Sequence, residues 1–219
     1  MKTKAIVFDA YGTLFDVNSA AEKYKDKIGA KWETFANFWR TTQLEYTWLR
    51  SLMKRHKNFW DITEDSLEKS MKLFNINKNM KNELLSLYKI LSPYPEVKEV
   101  LEDLKKKNFK LAILSNGTLD LLNELVESNN LNNLFDDLFS IEEVKIYKPD
   151  PRVYEIPIKK YKIKSDKITF LSANTWDVSG GGNFGYNSIW VNRHNSVFDI
   201  LDFQPKNEIS NLTQLLDIV

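Results

Sequence analysis

Cysteine is absent from the 219 residues. That one absence removes disulfides, thiolate metal sites and a cysteine nucleophile. Histidine is nearly missing too: His56 and His194 are the only two. A histidine-built metal site and a dispersed Ser-His-Asp system are both disfavoured. No charge of one sign accumulates either. Lys and Arg total 31 against 30 for Asp and Glu, a formal net charge of +1. Such a balance offers no electrostatic footprint for nucleic acid and none for an anionic membrane. No apolar run approaches the length of a bilayer span and no signal peptide is visible, so the expected location is the cytoplasm. What is present is enough apolar material, 42% hydrophobic and 13% aromatic, to fill one sizeable core and to argue against disorder.

One stretch organises the rest: Ala5-Ile6-Val7-Phe8-Asp9-Ala10-Tyr11-Gly12-Thr13-Leu14. The apolar, partly β-branched run Ala5 to Phe8 predicts a short buried strand. It stops at Asp9, and Gly12 lets the backbone turn just beyond. In an open α/β sheet the chemistry lies past the carboxyl ends of the strands. Asp9 is therefore a candidate nucleophile, and on this stretch alone it reads equally well as a cap of the next turn.

From about Asp16 to Lys89 the chain reads almost wholly as helix, with Gly29 its only glycine. Within Arg40–Arg55, Leu44, Trp48 and Leu52 make one apolar stripe and Tyr46, Leu49 and Met53 a second, which predicts a helix buried on two sides. Thr63 is placed as the N-cap of a following helix. Two prolines in Ser92-Pro93-Tyr94-Pro95 mark a boundary. Beyond it strands and helices alternate. Helix is expected over 97–107, strand over 110–114, helix over 119–129 and strand over 137–141. Helix follows over 150–161 with Pro157 as an interruption, then strand over 168–171 and a loop with a short helix over 177–184. A last clear strand, 188–191, and a terminal helix, 212–218, complete the pattern. The result is an α/β fold, a Rossmann-like parallel sheet formed by residues 1–15 and 92–219, with 16–91 inserted as a helical cap subdomain.

The strands end in polar residues: Asp9, then Ser115-Asn116-Gly117, then Ser172-Ala173-Asn174-Thr175-Trp176-Asp177, with Tyr147-Lys148-Pro149-Asp150 between. Parallel strands bring such ends to one sheet edge, which gathers Asp9, Ser115, Lys148 and Asp177 around one pocket. Singly, Ser115, Asn116 and Asp177 read as helix caps and Lys148 as a solvated lysine. Jointly they are hard to explain that way. The set resembles the haloacid dehalogenase superfamily and, more narrowly, the L-2-haloacid dehalogenases. Trp39–Met53, Phe184-Gly185 and Trp190-Val191-Asn192-Arg193 extend that resemblance over essentially the whole chain.

The resemblance implies hydrolytic dehalogenation of short-chain L-2-haloalkanoic acids to D-2-hydroxy acids, without cofactor or metal, by a homodimer. A phosphatase or other phosphoryl-transfer enzyme of the same superfamily is the alternative. Phosphatases of the superfamily carry a second Asp two positions after the nucleophile, where this chain has Tyr11, and Asn174 stands where a metal-binding carboxylate is expected. A departing halide needs no proton, so both departures favour displacement at carbon. Chemistry and resemblance together assign Asp9 as nucleophile, Thr13 as its orienting hydroxyl and Lys148 as oxyanion stabiliser. Asp177 becomes the hydrolytic base, helped by Ser172 and Asn174. Ser115 and main-chain amides near Tyr11 and Asn116 receive the substrate carboxylate, and Arg40 receives the halide. Tyr154 supports Lys148 or Asp177, and Tyr11, Leu44, Phe59 and Trp176 form an apolar wall. Thr41 departs from relatives with Gln after the cap arginine, which bears on the accepted chain length. The Gly180-Gly181-Gly182 run has no functional account in sequence, and neither histidine matches a motif.

Overall fold

The computed structural model describes residues 3–219. Strands β1 (Ala5–Phe8), β2 (Lys110–Ser115), β3 (Asp137–Ser140), β4 (Ile168–Ser172), β5 (Asn187–Val191) and β6 (Asn207–Ile209) form a six-stranded sheet in the order β3-β2-β1-β4-β5-β6. Every pairing is parallel. β1 is central and buried throughout, as an apolar run covered on both faces must be. Chain order reverses around it, with β2 on one side and β4 on the other. In register, Phe8 faces Ile113 of β2 and Leu171 of β4, so these strands end together beside Asp9.

Between β1 and β2 run α1 (Ser19–Glu22), α2 (Lys25–Ile28), α3 (Trp32–Leu52), α4 (Phe59–Phe74) and α5 (Lys81–Lys89). After them come α6 (Val97–Lys106), α7 (Leu119–Ser128), α8 (Pro151–Tyr161) and α9 (Thr175–Phe184). α3 and α4 pack along their lengths, and the Trp39 indole Nε1 donates to the Thr63 carbonyl at 3.0 Å. The helical segment leaves and returns side by side. Asp16 N donates to Ser92 O at 2.9 Å and Tyr94 N to Leu14 O at 3.0 Å, so the Ser92–Pro95 boundary is a paired double connection.

Several expectations are corrected. The block 16–89 is broken helix, interrupted at Gly29 with φ +82° and at Asn75, which is left-handed. Within one chain α3 is buried on one side only. Its buried face is Phe35, Ala36, Trp39, Thr42, Gln43 and Thr47, whereas Leu49, Leu52 and Met53 are 49%, 80% and 61% exposed. Counting apolar residues picked the wrong face because polar residues on the true one are satisfied inside, as in the Thr47 hydroxyl bonding the Leu44 carbonyl. Thr63 is not an N-cap. Asn58 caps α4 by accepting from Asp61 N at 2.9 Å, and Thr63 lies a turn inside, buried. β6 was unread because three residues with two polar ones make too short a signal. α9 is a single helix from Thr175 and absorbs the three glycines, Pro157 sits within an unbroken α8, and Leu212–Asp217 is a 3₁₀ helix.

Replacing the cap through Asn58→Ala should cost about 1 kcal/mol, read as a lowered urea midpoint. An unchanged midpoint would return the cap to another residue.

Candidate active site

β1 ends at Phe8 and delivers Asp9, 5% exposed, onto the sheet edge. Gly12 takes φ +89°, a conformation that side chains resist, and the turn brings Thr13 back onto Asp9. The Thr13 hydroxyl donates to Asp9 Oδ2 at 2.9 Å and accepts from Ala173 N at 2.8 Å. Asn174 precedes α9 but does not use its side chain as a cap. Its Nδ2 donates instead to Asp9 Oδ2 at 3.0 Å and to the Tyr11 carbonyl at 3.3 Å. Ser172 accepts from Asn174 N at 3.1 Å and so fixes that loop.

The other Asp9 oxygen meets Lys148. Nζ lies 3.1 Å from Asp9 Oδ1 and 2.8 Å from Asp177 Oδ2, with the lysine wholly buried. Burial alone would lower the ammonium pKa, but the charges of Asp177 and Asp9 outweigh it, and the pKa stands above the ordinary lysine value. For Asp177 the balance goes the other way. Burial raises its carboxyl to about 6, against the lowering pull of Lys148. Asp177 Oδ1 accepts from the Tyr154 hydroxyl at 2.7 Å. Lys148 N donates to Asn116 Oδ1 at 3.2 Å, and Ser115 Oγ accepts from Gly117 N at 3.0 Å.

Over this edge lies α3. Arg40 Nη2 donates to the Tyr11 carbonyl at 3.3 Å and Nη1 to Gln43 Oε1 at 2.8 Å. Among the described residues no carboxylate lies within ion-pairing distance of Arg40. The Tyr11 ring packs on Phe59 at 5.1 Å and stacks on Tyr88 at 5.8 Å. Burial pushes the Tyr11 hydroxyl well above its usual pKa, which makes it a poor proton donor. Trp176 meets Trp48 edge to face at 5.4 Å, and Leu44 is half-buried one turn after Arg40.

Asp9, Thr13, Asn174, Lys148, Asp177 and Tyr154 thus form one bonded network, joined to Ser172 and Asn116 through the main chain. Arg40 and Tyr11 adjoin it. Leu44 and Trp176 stand at its rim without a bond into it. Gln43 and Tyr88 were not singled out in sequence. His56 lies outside, 3.0 Å from Glu142, and His194 is exposed.

The sequence pattern of the haloacid dehalogenase-like hydrolases matches residues 3–185. The chain belongs to this family. Among its relatives is (S)-2-haloacid dehalogenase 4A of Burkholderia cepacia, 38% identical over 97% of this chain and 93% of that protein. A dehalogenase crystal structure superposes with a TM-score of 0.97 at 36% identity, covering 99% of this chain and 97% of the other. The L-2-haloacid dehalogenase of Xanthobacter autotrophicus with chloropropionic acid covalently bound gives 0.92 at 29% identity, covering 99% and 98%. The haloacid dehalogenase-like fold accounts for the parallel sheet and for the helices inserted after β1.

The first of the three glycines of α9 lies against this network. A Cβ on Gly180 would sit 2.5 Å from the Tyr154 hydroxyl and 2.7 Å from Pro149 Cβ. Only glycine lets Tyr154 reach Asp177. Gly180→Ala should therefore destabilise the protein by about 1–3 kcal/mol through overpacking, despite the roughly 1 kcal/mol that Ala gains over Gly in helix propensity. Denaturant unfolding measures this, and a net gain in stability would refute the packing account.

Proposed function

We propose that the protein is an (S)-2-haloacid dehalogenase, converting short-chain L-2-haloalkanoic acids to D-2-hydroxy acids through an ester on Asp9. The observation that carries this reading is the pairing of a fully held carboxylate with a cation that no carboxylate among the described residues neutralises. Asp9 has both oxygens fixed, and Arg40 beside it is bonded by neutral oxygens. That is a nucleophile facing an anion receptor.

Asp9 attacks the α-carbon from the side opposite the halogen. The carbon–halogen bond breaks with its electron pair, and the halide departs against Arg40. Ser115, with main-chain amides near Tyr11 and Asn116, holds the substrate carboxylate. Asp177, ionised, takes a proton from water as the water attacks the carboxyl carbon of Asp9. Lys148 and the donors Thr13 and Asn174 stabilise the oxyanion that forms. Collapse breaks the ester C–O bond, Asp177 passes its proton to the departing alkoxide to give the hydroxy acid, and Asp9 returns to the carboxylate by losing its proton to solvent. Only the first step touches the stereocentre, so configuration inverts once. Tyr11, Leu44, Phe59 and Trp176 provide the apolar wall that keeps stray water from the ester.

Two features argue for this chemistry over phosphoryl transfer. Two positions after Asp9 stands Tyr11, whose raised pKa suits it poorly to protonating an alkoxide. The Asp9 and Tyr11 oxygens converge on an amide N–H donor of Asn174, where a hard cation would need a further oxygen. Residues 16–91 serve in this reading as the cap over the sheet edge. The protein works as a cytoplasmic homodimer, which the exposed Leu49, Leu52 and Met53 support as an apolar contact surface. No helix among the described residues is long and apolar enough to cross a membrane.

Halide release from the L and D forms of 2-chloropropionate tests the assignment. Release should be confined to the L form and unaffected by chelators, and Mg²⁺-dependent phosphate release with no halide would overturn it. Asp9→Asn should abolish turnover. In a single turnover in heavy-oxygen water the label should appear on Asp9, since direct water attack would put it in the hydroxy acid. Because Asp177 titrates near 6 and acts only when ionised, kcat should fall as pH drops below about 6, by roughly tenfold per unit. A flat profile from pH 7 to 5 would remove Asp177 as the base.

A further inference from the structure

The anchoring of Arg40 has a direction built into it. Gln43, 1% exposed, lies one turn along α3, and both ends of its carboxamide are engaged. Oε1 accepts from Arg40 Nη1 at 2.8 Å and from the Tyr88 hydroxyl at 3.0 Å. Nε2 donates to Thr63 Oγ1 at 2.6 Å. Thr63 in turn donates its single proton to the Phe59 carbonyl at 2.8 Å.

A hydroxyl that has spent its proton on a carbonyl can only accept from a third group. Thr63 therefore demands a donor from residue 43, which fixes Nε2 toward Thr63 and leaves Oε1 to face Arg40. A carboxylate at 43 could not satisfy Thr63 without taking the proton from Phe59, and it would pair with the guanidinium. An amide at this position orients Arg40 while leaving its charge uncompensated. Tyr88 adds a second donor on Oε1, with burial holding it in the neutral phenol form.

We propose that Gln43 is the positioning residue for halide departure. It holds the Arg40 guanidinium over the sheet edge by a neutral hydrogen bond, so that the full positive charge stays available to the leaving halide, and Thr63 sets its orientation. This rests on the dehalogenase reading above. In that role the amide matters most where the leaving group needs most help. Chloride is the poorer leaving group and the more concentrated charge, so it should depend on Arg40 more than bromide does.

The test compares wild type with Gln43→Glu, Thr63→Val and Thr63→Ser. The readouts are halide release from 2-chloropropionate and 2-bromopropionate, inhibition by added bromide, and a thermal melt. In Gln43→Glu the new carboxylate neutralises Arg40. The chloro-to-bromo ratio of kcat should fall by about tenfold or more, and inhibition by bromide should weaken by a similar factor. Thr63→Val frees the carboxamide to turn without adding charge and should move both readouts in the same direction, while Thr63→Ser, which keeps the hydroxyl, should restore them. General structural damage would lower both rates together and leave the ratio alone. If Gln43→Glu does not fold, the two Thr63 variants carry the test. Wild-type values of the ratio and of bromide inhibition in folded Gln43→Glu or in Thr63→Val overturn the assignment of Gln43 alone. A wild type that releases no halide from either acid overturns the dehalogenase reading and this inference with it.

Discussion

The Lys148 ammonium buried between Asp9 and Asp177 is the interaction on which the rest of the structure depends. An unpartnered charge at that depth is prohibitive, and removing one partner from a buried pair costs about 3–5 kcal/mol. The lysine is tolerable there because it has two carboxylate partners, and Asp177, itself wholly buried, because it has the lysine. The three arrive from the end of β1, from the loop before α8 and from the first turn of α9, so the triad is satisfied only once the sheet has assembled in register. What makes Asp9 usable in chemistry is also what ties these elements together. Asp177 shares the lysine at 2.8 Å and accepts from the Tyr154 hydroxyl at 2.7 Å, yet burial still pushes its carboxyl up to about 6.

Around this triad the site is assembled from parts that do different electrical work. The sheet edge supplies a held anion and its counter-cation. The helices over it supply a second cation, Arg40, bonded only by neutral oxygens. In the proposed reaction Lys148 serves the oxyanion and Arg40 the departing anion, and the layering of helix over sheet keeps the two cations apart.

Much of this was legible in the sequence, for a definite reason. Short apolar runs ending abruptly in polar residues identify buried parallel strands, and parallel strands force their ends together. Asp9, Ser115, Lys148 and Asp177 could therefore be gathered without coordinates. Features that depend on exact neighbours stayed hidden. Thr63 looked like a cap because hydroxyls before apolar runs often are, but Asn58 had already taken that place. Leu52 and Met53 read as buried because periodicity records polarity and not which face meets the rest of the same chain. β6 was too short and too polar to register. Gln43 had no motif to announce it, because its partners Thr63 and Tyr88 lie 20 and 45 residues away. The reason for Gly180 is Tyr154, which approaches it from α8 and carries no signal in the local sequence.

The double connection at Asp16 and Ser92 has a consequence for how such a protein changes over generations. Because the outgoing and returning chains are bonded to one another, the sheet meets everything between them as a loop whose ends are already closed. Loop-closure entropy grows only slowly with length. The helices in that loop can be lengthened, shortened or exchanged while the register of β1 against β2 and β4 is kept. Arg193 reinforces the separation from the sheet side, bonding the Thr13 carbonyl at 2.8 Å while its guanidinium lies over the Tyr94 ring. The carboxylates and lysine at the sheet edge can thus keep their geometry while the helices above them vary, as long as α3 still presents Arg40 to the Tyr11 carbonyl.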